Sequence, residues 1–227
     1  MTPEHTSAPA PLRIDFVSDV SCPWCAIGLQ SLQQAIERVG DEVAVEIHFQ
    51  PFELNPQMPP QGQDAVEHLT GKYGITAEQA AQNGEAIRAR GAQLGFNFDM
   101  SRRRRVYNTF DAHRLLHWAE LEGQAQQLAL KRTLLHAYFS DGQDVSSHEV
   151  LARLAQQAGL DAVRAGEILA SDEYAEEVRA QEQFYAAQGI RAVPSVILDQ
   201  RPLIQGGQPV ETFERALRQA AGQARPA

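Results

Sequence analysis

Between Leu12 and Val17 the chain reads Leu-Arg-Ile-Asp-Phe-Val, an alternation of apolar and polar residues rich in branched side chains, which predicts a strand with one buried face. A helical period then takes over: Ile27, Leu32, Ile36 and Val39 recur along one face up to Gly40, predicting a helix from about Pro23 to Val39. Pro23 suits the first helical turn, where its missing N–H would have had no partner, and Gly40 suits the left-handed residue beyond a helix end. Alternation returns in Val43-Ala44-Val45-Glu46-Ile47-His48-Phe49. A strand-helix-strand unit of this kind implies a parallel pair with a right-handed crossover.

Pro51, Pro56, Pro59 and Pro60 crowd the stretch from Pro51 to Gly62, which therefore reads as a linker. From Asp64 to Gln188 the chain shows no convincing strand and is dense in Ala, Leu, Gln, Glu and Arg, all good helix formers. Breaks fall at Lys72–Thr76, Gly95–Ser101, Gly123, Ser140–Ser147, Gly159–Asp161 and Ser171–Asp172, leaving about six or seven helices of roughly 10 to 18 residues. Thr76 and Ser147 resemble N-caps without a complete capping box. After Gly189 strands return: Pro194 to Asp199 is one, Arg201 to Ile204 a second, and Gly206-Gly207 a turn. Val210, Phe213, Leu217 and Ala221 then mark a final amphipathic helix from about Pro209 to Ala221. The layout is β-α-β, a long helical insertion, then β-β-α.

Composition narrows the class without naming a function. With 227 residues, 43% hydrophobic and 22% charged, the chain has the profile of a soluble globular protein large enough to hold a core without staples. No segment approaches a membrane span, and no basic and apolar leader precedes Leu12, so a cytoplasmic setting and no membrane partner are expected. A net charge of −9 argues against binding nucleic acid through basic surface. The one basic run, Arg102 to Arg105, has no accompanying aromatic platform and reads as a solvated helix start or loop.

The two cysteines carry the sharpest signal. Both fall in Cys22-Pro23-Trp24-Cys25, at the start of a helix that follows a strand. This spacing sets both sulfurs on one side of the first turn, where unsatisfied N–H groups and the positive end of the helix dipole favour a thiolate. Such a pair reads as a redox dithiol in which Cys22 attacks and Cys25 resolves. A tetrahedral metal site would need two further ligands, and no second Cys pair exists, so the metal reading and that of an inert structural pair stand behind it. Trp24, between the sulfurs, is expected to shape the accessible surface and the redox poise.

Taken together, Ser18 to Gly28, Asn108-Thr109 with Ala112-His113-Arg114, Gly189 to Ser195, and Gly206 to Pro209 resemble the thioredoxin-fold oxidoreductases of the DsbA family, in particular the cytoplasmic FrnE-like subgroup. The resemblance spans nearly the whole chain. It implies an α/β, thioredoxin-like fold with a large all-helical insertion. The thioredoxin-like domain would be discontinuous, 12–60 plus 189–222, with 62–188 as the insertion and 1–11 and 223–227 as flexible termini. It also implies that Pro194 opens its strand in a cis peptide against the dithiol, leaving the backbone of Val193 to pair with an extended substrate. X–Pro is the one bond for which cis is cheap, and proline is tolerated at the first position of a strand. A buried carboxylate that moves the proton of the resolving cysteine is a further implication, with Asp19 and Asp15 as candidates in a register that departs from the family's. On the same basis His113, with Asn108 nearby, is a candidate to tune Cys22.

The leading expectation is a thiol-disulfide oxidoreductase of undetermined direction, acting on protein or small-thiol disulfides as a monomer or homodimer. It would need no metal or organic cofactor, with glutathione or another thiol as a recycling partner. Glutathione-dependent isomerases of the 2-hydroxychromene-2-carboxylate type and kappa-class transferases are the alternative, but they carry serine where Cys22 stands. A third reading is a peptide-binding module using an apolar groove. Phe110, Leu115, Trp118, Leu134, Tyr138 and Phe139 would line it if they are not core, and Phe49, Phe52 and Leu54 raise the same question.

Overall fold

A computed structural model describes residues 11–199 and 204–224. Its centre is a four-stranded mixed sheet in the order β2-β1-β5-β6. Strand β1 (Leu12–Ser18) pairs in parallel with β2 (Val45–Pro51), setting Ile14 beside Ile47 and Phe16 beside Phe49. On its other side it pairs antiparallel with β5 (Ser195–Leu198), which in turn pairs with β6 (Ile204–Gln205). The crossover between the parallel strands is helix α1 (Pro23–Val39), whose bounds coincide with those read from the periodicity. Gly40 follows it at φ 50°, in the left-handed region that favours glycine.

Strand β1 is buried on both faces rather than one. Leu12, Ile14 and Phe16 face the main core with α1 and the last helix, α9 (Val210–Ala224). Val17 faces the other way, against Tyr185 and Ile190. The polar residues of the alternation are accommodated there as a pair, with Arg13 donating to Asp15 at 2.7 Å. Strand β2 begins two residues later than the alternation indicates, because a single 3-10 turn over Gly40–Glu42 precedes it. Phe49, near the end of this edge strand, has both its backbone groups satisfied by one buried side chain: Gln127 accepts from Phe49 N at 2.9 Å and donates to Phe49 O at 3.1 Å.

Seven helices separate β2 from β5 among the described residues: α2 (Ala65–Tyr73), α3 (Ala77–Gln93), α4 (Phe110–Glu122), α5 (Gln124–Phe139), α6 (His148–Gln157), α7 (Ala162–Leu169) and α8 (Ala175–Ala187). Thr76 forms a full capping box with Gln79, correcting the expectation of an incomplete one; the sequence Thr-Ala-Glu-Gln satisfies the motif with glutamine. The block also contains strand pairing that the sequence concealed: β3 (Gln63–Asp64) pairs with β4 (Arg105–Val106), each too short to show alternation. The basic run is held by this arrangement. Arg105 donates to the carbonyls of Gln61 and Gly62, Arg104 to Ser101, and Arg103 to the Tyr138 hydroxyl, while Arg102 pairs with Asp99. These arginines fasten a loop.

Helix α8, grouped with the insertion in the sequence division, also packs on the sheet, bringing Tyr185 against Val17. Of the aromatic and aliphatic candidates for a groove, Leu115, Trp118, Leu134, Tyr138, Phe139 and Phe49 are core, while Phe110, Phe52 and Leu54 are half-buried. No helix among the described residues is long and apolar enough to cross a membrane. The expected strand over Arg201 to Ile204 falls largely outside the described residues, and so does most of the termini at 1–11 and 223–227.

Candidate active site

Cys22 is the N-cap residue of α1, with Pro23 in the first turn. Its carbonyl accepts the first bonds of the helix, from Cys25 N at 3.1 Å and Ala26 N at 3.4 Å, so the fold of the motif itself brings the two sulfurs together. Both cysteines are free thiols, Cys22 exposed by 4% and Cys25 not at all. The Cys22 thiol donates to the carbonyl of Val193 at 3.6 Å, and the Val193–Pro194 peptide is cis. Pro194 packs on α1 so closely that a Cβ at Gly28 would lie 3.1 Å from its Cγ. A Cβ at Gly207 would meet Ile27 at 2.9 Å and Trp24 at 3.1 Å, so this loop needs glycine in order to lie against the motif. Trp24 is 43% exposed beside it.

Asp19 lies under the turn into α1, with no exposed surface. Its carboxylate accepts from Ser21 N at 3.2 Å, Ser21 Oγ at 2.9 Å and Leu54 N at 2.7 Å, and His113 Nε2 stands 3.6 Å away. Burial pushes the carboxyl up, but the nearby His113 ring and the N–H groups of Leu54 and Ser21 outweigh it and hold the pKa at about 2. The carboxylate therefore stays ionised and ties three segments together: the β1–α1 turn, the segment after β2, and α4. Asp15, the other carboxylate candidate, points away from the dithiol. It lies on the opposite face of β1, with Arg13 and with Gln50, whose amide donates to it at 2.9 Å. The alternation of a strand makes that placement unavoidable once Phe16 faces α1.

His113 is buried against Asp19 rather than against a sulfur, so its reach to Cys22 runs through the carboxylate. Asn108 accepts from Phe110 N at 2.9 Å and donates to Glu53 at 3.5 Å, holding the start of α4. Glu53 is a buried acid that sequence reasoning passed over; it pairs with Arg179 of α8, which stacks on Phe110 with its guanidinium 3.8 Å from the ring centroid. At the rim, Lys72 of α2 donates to Leu54 O at 2.8 Å and Asn55 Oδ1 at 2.7 Å, and Tyr73 next to it is exposed.

Lys131 of α5 was also missed, although its place in the helix gave a signal. Leu134 and Leu135 follow it at helical spacing and Gln127 precedes it by one turn, which puts a lysine in a buried stripe. It has no exposed surface, and its Nζ sits 5.8 Å from the centroid of Phe49 without a hydrogen-bond partner. Burial pushes its pKa down, and the nearby Cys25, Asp19 and Cys22, in that order, push it up. For Cys25 the signs are reversed. Burial raises the thiol well above its ordinary value, as do its hydrogen bond with Cys22 and the charge there, while Lys131 and the Asp19 backbone oppose them. Among the described residues, no group of three or more His, Cys, Asp or Glu is placed to hold a metal ion.

Residues 13–218 match the family model of the DSBA-like thioredoxin domain. The chain belongs to that family. Similar members include a probable DsbA oxidoreductase from Streptomyces coelicolor, whose crystal structure is 36% identical and superposes with a TM-score of 0.86 over 95% of this chain and 92% of that one. YwbO of Bacillus subtilis, an uncharacterized protein, is 26% identical over 207 residues, covering 91% of this chain and 96% of its own. A 2-hydroxychromene-2-carboxylate isomerase shares the fold at 16% identity, with a TM-score of 0.71 over 93% of this chain and 97% of that one. Both the DSBA-like fold and its helical insertion are thus those expected from the sequence.

Proposed function

We propose that this DSBA-like chain is a thiol-disulfide oxidoreductase in which Cys22 exchanges with a protein or small-thiol disulfide and Cys25 resolves the product. One observation carries the reading: two free thiols share the first turn of α1, the outer one at the N-cap and against the carbonyl that precedes a cis-proline. In the reducing direction the Cys22 thiolate attacks one sulfur of the substrate disulfide, and the other substrate sulfur leaves as a thiolate. Cys25, deprotonated, then attacks Cys22 Sγ, releases the second substrate sulfur and closes the Cys22–Cys25 disulfide. The oxidising direction is the reverse. Trp24 and Tyr73 supply exposed apolar surface beside the mouth, and the backbone of Val193 is the proposed pairing edge for an extended substrate.

Neither a metal nor an organic cofactor enters these steps, and a thiol such as glutathione would complete the cycle. Asp19 and His113 support the site by fixing the turn that carries Cys22. The FrnE-like, cytoplasmic assignment belongs to the same proposal: the chain has no cysteine outside the motif, so its redox chemistry does not compete with structural disulfides. The glutathione-dependent isomerase reading is not favoured, because a second, buried cysteine has no task in it.

A glutathione redox titration followed by mass spectrometry tests the proposal. A reversible two-electron transition with formation of the Cys22–Cys25 bond is expected. A midpoint near about −270 mV would assign a reductase and one near about −120 mV an oxidant. A pair that stays reduced across the range would overturn the reading.

A further inference from the structure

Among the described residues, Lys131 carries a buried amine with no hydrogen-bond partner, and the exchange steps above give it no use. A lysine at the surface of a helix normally extends its amine to water, but Lys131 has none of its surface exposed and points between α5 and the sheet. Gln127, one turn earlier on the same face, shows what this position can do structurally, since it satisfies both backbone groups of Phe49. Lys131 satisfies nothing: its amine has no hydrogen-bond partner and only the face of Phe49 nearby. An apolar side chain would fill the same space without burying an unpaired polar group. Such a group calls for an explanation in the chemistry around it.

The surroundings point to Cys25. The resolving thiol is fully buried, and burial opposes its ionisation. Asp19 is held ionised well below neutral pH, so it does not take up a proton near neutral pH. The strand position that faces α1 beneath the motif is Phe16, which has no ionisable group; a Cβ on Gly28 would lie 3.7 Å from its ring. Phe16 stacks edge-on against Phe49, at 5.7 Å between centroids, and Lys131 lies over that same Phe49. The titratable groups around the amine are Cys25, Asp19 and Cys22, with His113 behind Asp19.

We propose that Lys131 is the positioning residue for the resolving step, the buried base whose ammonium form balances the Cys25 thiolate. This rests on the oxidoreductase reading. The proton leaving Cys25 ends on the Lys131 amine, so thiol plus amine become thiolate plus ammonium with no change in net charge. The thiolate attacks Cys22 Sγ of the mixed disulfide, the bond between Cys22 and the substrate breaks, and the substrate sulfur leaves with the electron pair. The leaving substrate thiolate takes up a proton from solvent and Lys131 returns one to solvent, so in balance the proton of Cys25 ends on the substrate thiol and the amine is neutral again. Because the amine makes no hydrogen bond, nothing has to be broken when the charge on Cys25 changes.

Lys131→Met tests this, read by mass spectrometry of the glutathione mixed disulfide over a pH series. Cys22 should form the mixed disulfide at the wild-type rate, while its resolution at neutral pH slows by about tenfold or more, the effect of one pKa unit on the thiol. The difference should close as pH rises. Resolution within about twofold of wild type at every pH would overturn the proposal. A wild-type protein that never forms the mixed disulfide would instead overturn the oxidoreductase reading itself. If the variant does not fold, side-chain NMR of Lys131 in the wild-type protein decides: its amine should titrate at higher pH in the reduced than in the oxidised form, and identical titration would overturn the proposal.

Discussion

Asp19 and Lys131 are both fully buried near the same pair of sulfurs, yet Asp19 accepts from Ser21 and Leu54 and faces His113, whereas Lys131 has no hydrogen bond at all. The difference separates two uses of a buried ionisable group. A saturated anion is a structural knot, since removing it would orphan donors on separate segments. An unpartnered amine orphans nothing on removal, so its presence weighs on the chemistry of its neighbours instead.

The largest expected effect breaks the site itself. Cys22→Ser should abolish disulfide exchange, whereas Cys25→Ser should leave a trapped mixed disulfide on Cys22; glutathione adducts counted by mass spectrometry distinguish them. Next comes the knot. Asp19→Ala should cost about 3 kcal/mol by urea denaturation, because it strands the Leu54 and Ser21 donors and leaves His113 buried without its carboxylate. The pH dependence has a definite sign: the native pKa of about 2 lies below the ordinary 3.8, so Asp19 stabilises the fold above that ordinary value. That contribution, about 2 kcal/mol, is lost as pH falls from about 4 to 2, and Asp19→Asn should flatten this part of the stability curve.

Lys131→Met sharpens the contrast from the other side, since it should leave stability unchanged or raise it by about 1 kcal/mol in the same urea assay. A loss as large as that of Asp19→Ala would mean that the two groups are housed alike. The smallest effect belongs to the loop facing the motif. Gly207→Ala, which must displace Ile27 or Trp24, should cost about 1 kcal/mol and change the fluorescence of Trp24, with the dithiol still able to close.

Much of the fold could be read directly because its causes are local. Pro23 and Gly40 bracket α1, and the helical period between them needs no distant partner to declare itself. Strands β3 and β4 could not be read that way, since two residues carry no period and the pair forms only when Gln63 meets Val106. The second buried face of β1 was hidden for a related reason: Asp15 looks like a solvent-facing residue until the fold buries it beside Gln50 and brings Tyr185 of α8 against Val17. In the site, Cys22, Cys25 and the cis Val193–Pro194 peptide were legible from the motif and the family resemblance, whereas Asp15 and Asp19 were indistinguishable until the strand's orientation was known.

The sequence by itself determined the dithiol, its place at a helix start, the strand-helix-strand frame and the helical insertion, because spacing, caps and breakers act within a turn or two of the chain. Only the tertiary structure decided which charged residues attend the sulfurs: that Asp19 is caged, that Asp15 turns away, and that Lys131 is brought under the motif from α5. Those outcomes depend on which faces pack together. Burial and charge act through space, so a lysine that looks ordinary along its helix becomes exceptional only where the fold removes its water.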